Sequence, residues 1–175
     1  MTMKELELEL RDYAHELNVF RHETGLKVFN RMPDYIAVKA ADQDDFTRLI
    51  EEFRPMSHEI TAIKRDDRLV ATAELLGTIA LPPFGPNDWV RISEPKQIPT
   101  GKDRVGLDHV GFFRVDYDAT KDELTEKEIP FHERHHQFGS YVEIGFGSNR
   151  EVKLTSRATQ NIVWDEMATR KATVI

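Results

Sequence analysis

The strongest constraint on this chain is an order of elements that occurs twice. "DYIAVKA" (34–40) and "LDHVGFF" (107–113) are short, strand-like apolar runs, and each opens one half of the sequence. After the first come "DQDDFTRLIEEFRPM", with Phe46, Leu49, Ile50 and Phe53 on one helical stripe, then "HEITAIKR" and "RLVATAELLGTIAL" around the turn signal Asp66-Asp67, then "WVRIS". After the second come "TKDELTEKEI", "FHERHH", "YVEIGF" and "EVKLT". Each half therefore reads strand, helix, strand, strand, strand. Tyr35 and His109 occupy the two openings, and Arg91 and Lys153 the two closing strands. A solenoid needs at least about three repeats, so a single repetition predicts two copies of one supersecondary unit.

The flanks add one helix at each end. Leu6, Leu10, Tyr13, Leu17 and Phe20 recur at spacings of three and four, and Gly25 suits a C-cap, which predicts an amphipathic helix over 3–24. Glu5, Glu7 and Glu9 alternate as in a metal-chelating strand, but the helical stripe assigns them to a solvated face. Module one is expected at 33–95, a linker at 96–104, module two at 105–158 and a C-terminal helix at 159–171. Asp42 can cap the first module's helix and Pro55 can end it. "PPFGPND" (82–88) reads as a loop, and Thr120 with Glu123 as a capping box. The expected class is α+β: two βαβββ modules forming a curved mixed sheet around a cleft, with an added N-terminal and C-terminal helix.

Composition narrows the function classes. The 175 residues carry a net charge of −7 with the basic residues scattered, which argues against nucleic acid as a partner. With no cysteine, thiolate catalysis, thiolate metal sites and disulfides are excluded. "MTMKELELEL" has no apolar core and is not read as a signal peptide, and no apolar run suits a membrane span. The expectation is a cytoplasmic protein with no membrane partner. The sequence carries no signal of oligomeric state.

Strand alternation separates two faces. Ile36 and Val38, Val90 and Ile92, Val110 and Phe112, Val142 and Ile144, and Val152 and Leu154 form aliphatic faces suited to the helices. The opposite faces hold Tyr35, Lys39, Arg91, His109, Tyr141, Glu143, Glu151 and Lys153. That second face is either open to solvent or the wall of a polar cleft. Ala37 and Gly111 would leave room in such a cleft.

This layout resembles the vicinal oxygen chelate superfamily, which includes glyoxalase I, extradiol dioxygenases and bleomycin-resistance proteins. "LDHVGFF", the helix after it, "EIPF" and "GSNREVKL" carry the likeness best. The leading helix and the "SEP" at 93–95 look like the YecM-like group of bacterial proteins. The resemblance implies a divalent metal held by a histidine and a glutamate from each module. Of those four positions only His109 matches; Tyr35, Arg91 and Lys153 stand at the other three. The histidines of the YecM-like pattern would fall at Ser93 and Thr155. Guanidinium and ammonium groups repel a divalent cation, so the resemblance implies the fold more than the chemistry.

Three functions follow as expectations. The first is a glyoxalase-like protein that binds a small anionic molecule without metal or other cofactor. Arg91 and Lys153 would supply the charge, His109 and Tyr35 hydrogen bonds, and Tyr141 and Phe113 walls, with Glu143 nearby. The competing view of these residues is a salt-bridged interior, with Arg91 and Lys153 paired to Glu143 or Glu151. The second is a lyase, isomerase or dioxygenase, with His109 as the candidate catalytic base or with a metal on a displaced set of His109, His136, Glu143 and Glu151. The third is a partner-binding protein that uses an exposed apolar stripe of the N-terminal helix.

Overall fold

The structure is a computed structural model that describes residues 1–65, 68–95, 105–169 and 171–175. The Asp66-Asp67 turn, the 96–104 linker and Arg170 lie outside the described residues. Helix α1 (Met3–Thr24) leads, closed at its start by a Thr2–Glu5 capping box and at its end by Gly25 in the left-handed region. Module one follows as β1 (Tyr35–Lys39), α2 (Gln43–Phe53), β2 (Ser57–Arg65), β3 (Arg68–Leu81) and β4 (Gly85–Ser93). Module two repeats it as β5 (Gly106–Phe113), α3 (Tyr117–Glu126), β6 (His132–His136), β7 (Gly139–Phe146) and β8 (Arg150–Thr155). Helix α4 (Thr159–Ala168) and a short strand β9 (Ala172–Val174) end the chain.

The nine strands of the described residues lie in one mixed sheet, in the order β6-β7-β8-β5-β1-β4-β3-β2-β9. The modules join where β1 and β5 run antiparallel, and within each module the opening and closing strands are parallel. The registers agree residue by residue. Ala37 faces Arg91 across β1–β4, and Gly111 faces Lys153 across β5–β8. A local two-fold axis through the β1–β5 junction therefore makes Tyr35 equivalent to His109, and Arg91 equivalent to Lys153.

The aliphatic sheet face meets α1, α2 and α3. Leu6, Leu10, Leu17, Phe46, Leu49 and Leu124 close over Ile36, Val90, Val110, Ile144 and Leu154 in one buried core. Leu6, Leu10 and Leu17 are no more than 2% exposed, so the apolar stripe of α1 is consumed by folding. Among the described residues no helix is long and apolar enough to cross a membrane.

Four local features differ from the sequence reading. The segment 82–88 is not all loop: β4 starts at Gly85, because Gly85 and Asn87 pair with Leu81 and Ile79. Helix α3 is capped by Asp116, whose carboxylate accepts from the Ala119 N–H, and not by Thr120. Thr120 lies inside the helix and donates to the Asp116 carbonyl. The C-terminal helix stops at Ala168, and the chain then adds β9 antiparallel to β2.

Candidate functional site

The sheet face away from the core forms a cleft of ≈ 500 Å³ to which both modules contribute. Its floor comes from strand positions that alternation turns away from the helices: Tyr35, Ala37, Arg91, Ser93, His109, Lys153 and Thr155. Tyr141 and His136 supply a side wall. Helix α4 packs over the module-one half, with Val163 against Tyr35, Ala37 and Trp89. Met167 reaches both that cluster and the Ile63–Val70–Ala172 cluster beside it. Glu166 on α4 is buried and ion-paired to Arg65.

A buried polar chain crosses the module junction. Tyr35 Oη lies 3.1 Å from His109 Nε2. His109 Nδ1 lies 3.0 Å from Asp108 Oδ2, and Asp108 Oδ1 lies 3.2 Å from Lys39 Nζ. A carboxylate only accepts, so Nδ1 carries the imidazole proton and Nε2 accepts from the Tyr35 hydroxyl. Burial, reinforced by the Lys153 charge, pushes His109 down to about 4 against the pull of Asp108, which keeps the ring neutral. Burial works to raise the Asp108 carboxyl, but the hydrogen bond from His109 and the charges of Lys39 and Lys153 hold it well below the usual range. Burial also raises the Tyr35 phenol, so it stays protonated.

Asp108 reaches this chain through a β-bulge. Ala37 pairs with His109 and Val38 pairs with Leu107, so two residues of β5 oppose one step of β1. Simple alternation would turn Asp108 toward the helices beside Val110. The extra residue instead places Leu107 in the core and both Asp108 and His109 toward the cleft.

Arg91 and Lys153 occupy equivalent positions with unequal surroundings. The Arg91 guanidinium stacks 4.0 Å above the Tyr35 ring and donates to Thr159 Oγ1 at 3.2 Å, while its Nε is buried without a hydrogen-bond partner. Lys153 Nζ meets Glu143 Oε1 at 3.0 Å and lies 4.7 Å from the Tyr141 ring centre. Burial works against the Lys153 ammonium, but Tyr35, Tyr141, Glu143 and Asp108 together hold its pKa above the usual value. His136 is pushed down to about 4 by burial and by the charges of Arg65, Arg91 and Lys153.

Other residues singled out in the sequence are placed differently. Glu143 is engaged by Lys153 and does not line the cleft, and neither does Phe113. Glu151 is exposed and lies outside the lining, so it joins neither Arg91 nor a metal set with His109 and His136. Among the described residues no three His, Asp or Glu side chains form a group able to hold a metal. The space at Gly111 is filled by the Tyr35 ring, not left open to a ligand. The sequence reading put Lys39 on the cleft face but did not place Asp108 there; the aspartate before His109 was visible, but the bulge that aims it was not.

No protein-family model matches the sequence, and no curated protein matches it. Among solved structures, a structural-genomics protein designated EC4020 aligns over 94% of this chain and 92% of its own, with TM-score 0.71 at 13% identity. A glyoxylase/bleomycin resistance protein/dioxygenase domain from Frankia sp. EAN1pec covers 68% of this chain and 86% of its own, with TM-score 0.28 at 19% identity. The fosfomycin resistance protein FosX from Listeria monocytogenes covers 71% and 90%, with TM-score 0.29 at 12% identity. EC4020 shares the fold across nearly the whole chain. The chain therefore has the fold of EC4020, two βαβββ modules meeting edge to edge in one mixed sheet with a polar cleft on one face.

Proposed function

We propose that the protein binds a small anionic molecule in this cleft without a metal. One observation carries the reading. Among the described residues, eight lysines and arginines line the cleft against a single carboxylate, Asp108, on a chain whose net charge is −7. A concave site that gathers positive charge on an acidic protein attracts and orients anions. Tyr35, Tyr141, Ser93, Ser140 and Thr155 add neutral hydrogen-bonding groups to its walls. The leading helix and the Ser93-Glu94-Pro95 segment support a YecM-like assignment within the fold.

The donor set does not fit the divalent metal that the fold family implies. Arg91 and Lys153 stand where carboxylates would be needed, and both ring nitrogens of His109 are already engaged. The partner-binding alternative is weakened by the burial of Leu6, Leu10 and Leu17.

Thermal melting with acetate, succinate, citrate and phosphate, each against sodium chloride at equal ionic strength, tests the reading. At least one of these anions raises Tm, since a ligand of the folded state stabilises it by mass action. No rise with any of them overturns it. Elemental analysis of chelator-free protein tests the metal-free part, and near-stoichiometric zinc, iron, manganese or nickel overturns that part.

The Asp108–His109–Tyr35 chain favours a second reading, an acid–base enzyme. His109 would act as general base through the Tyr35 hydroxyl it holds, and Arg91 and Lys153 would stabilise an enolate-like oxyanion. This reading expects the protein to exchange C–H for deuterium beside the carbonyl of 2-oxo acids such as pyruvate, followed by proton NMR in heavy water. The exchange should stop in His109→Gln, and its absence from the wild-type protein sinks the enzyme reading.

A further inference from the structure

The positive charge of the cleft is unevenly neutralised. On the module-two side Lys153 and Arg134 share Glu143, and Arg157 meets Asp165. On the module-one side Arg65 meets Glu166. Lys64, Arg68, Arg91 and Lys171 also line the cleft, and none of the four has a salt-bridge partner among the described residues. Register explains the imbalance. Glu143 lies directly across β7–β8 from Lys153, whereas the residue across β3–β4 from Arg91 is Thr72. The local two-fold axis thus sets a carboxylate beside one cation and a hydroxyl beside its equivalent. Asp34 and Glu166 act on Arg91 electrostatically, but Asp34 accepts two hydrogen bonds from Thr159 and Glu166 is committed to Arg65. Arg68 Nη1, like Arg91 Nε, is buried without a hydrogen-bond partner.

Arg65 from β2, Arg91 from β4 and Lys153 from β8 line the same cleft as His136, so cations enter it from three strands and both modules, and their charges hold the His136 imidazole down. A carboxylate offers two oxygens in one plane. A phosphate offers three terminal oxygens in a tetrahedral arrangement and up to two charges, which suits cations arriving from several directions.

We propose that the module-one end of the cleft, anchored by Arg91 and Arg68 and faced by His136, holds the phosphate group of a small phosphorylated molecule. This rests on the anion-binding reading and narrows it to one ligand class. Lys153 borders the group from the module-two side with its own charge already matched by Glu143. The rest of the ligand lies toward Tyr141 and Ser140, whose hydroxyls offer neutral hydrogen-bonding groups.

Isothermal titration calorimetry at pH 7.5 and constant ionic strength tests this with three probes: inorganic phosphate, sulfate and succinate. Phosphate and sulfate should bind at least about tenfold more tightly than succinate. Arg91→Gln and, outside the Tyr35 stack, Arg68→Gln should each weaken phosphate binding about tenfold, with folding verified by circular dichroism melting. Arg134→Gln, whose charge is set against Glu143, should weaken it several-fold less than Arg68→Gln does. Succinate binding as tightly as phosphate overturns the phosphate assignment and leaves the anion-binding reading standing. Equal losses in Arg68→Gln and Arg134→Gln overturn the placement at the module-one end. Failure of all three probes to bind overturns both.

Discussion

Tyr35 donates its hydroxyl to His109 Nε2 at 3.1 Å, and the two residues are the same position of the two modules, 74 residues apart in the chain. The local two-fold axis at the β1–β5 junction brings these equivalent positions face to face. One copy carries a phenol and the other an imidazole, so a symmetric backbone makes an asymmetric, fully engaged pair. The imidazole's second nitrogen is held by Asp108, which orients the ring and selects its tautomer.

The buried neutral state of His109 links stability to pH. Its folded pKa is about 4, against about 6.5 for an unfolded histidine. Between those values the unfolded chain binds more protons, so this contribution is complete above about pH 6.5 and is lost as pH falls toward 4. His136, also pushed down to about 4, acts in the same direction. Urea unfolding across pH 4 to 7 should show stability rising with pH, with a shallower slope in His109→Gln. An unchanged slope in the variant would mean that His109 is not held neutral.

Gly111→Ala should destabilise the module junction. A Cβ at Gly111 would overlap the Tyr35 ring, which packs across β1–β5 at that point. Overpacking of this kind costs about 1–3 kcal/mol. Chemical denaturation measures it. Combining Gly111→Ala with Tyr35→Ala should cost less than the sum of the two single changes, because each removes the other's steric reason.

Tyr13→Phe tests how α1 is fastened to module two. The Tyr13 hydroxyl donates to the Glu151 carbonyl at 2.6 Å and accepts from the Val110 N–H at 3.2 Å. Loss of that oxygen leaves a buried backbone N–H without its partner, at a cost of about 1–3 kcal/mol. A loss below about 0.5 kcal/mol in equilibrium unfolding would contradict this role.

Asp34→Ala should loosen α4 before the rest of the molecule. Ala158 offers α4 no capping side chain, and the Asp34 carboxylate instead accepts from Thr159 N at 2.9 Å and Thr159 Oγ1 at 2.7 Å. Removal of a cap costs about 0.5–2 kcal/mol. Hydrogen exchange should speed up over 159–168 while β1 and β5 stay protected. Equal acceleration in the central strands would show that Asp34 supports the sheet and not the helix.

Much of the fold was legible because periodicity reports local geometry. The three- and four-residue spacing of Leu6, Leu10, Tyr13 and Leu17 marked α1 at its observed ends. Alternation separated Ile36 and Val90, which enter the core, from Tyr35 and Arg91, which line the cleft. The features that were missed depend on partners distant in the chain. Gly85–Asp88 has turn-forming residues, yet it is strand because β3 pairs with it. The three residues of β9 have almost no periodic signal and are strand only because β2 accepts them.

The sequence by itself determined the two-module plan, the core face of each strand, and the presence of His109, Arg91 and Lys153 at matching positions of the polar strand faces. Only the tertiary structure decided what those residues meet. A β-bulge turned Asp108 onto His109, strand register gave Lys153 a carboxylate and Arg91 a hydroxyl, and α4 closed over the module-one half. The physical reason is one of range. Alternation and helical spacing are set within a few residues, whereas bulges, register and charge pairing are set by whichever segment, many residues away, lies alongside.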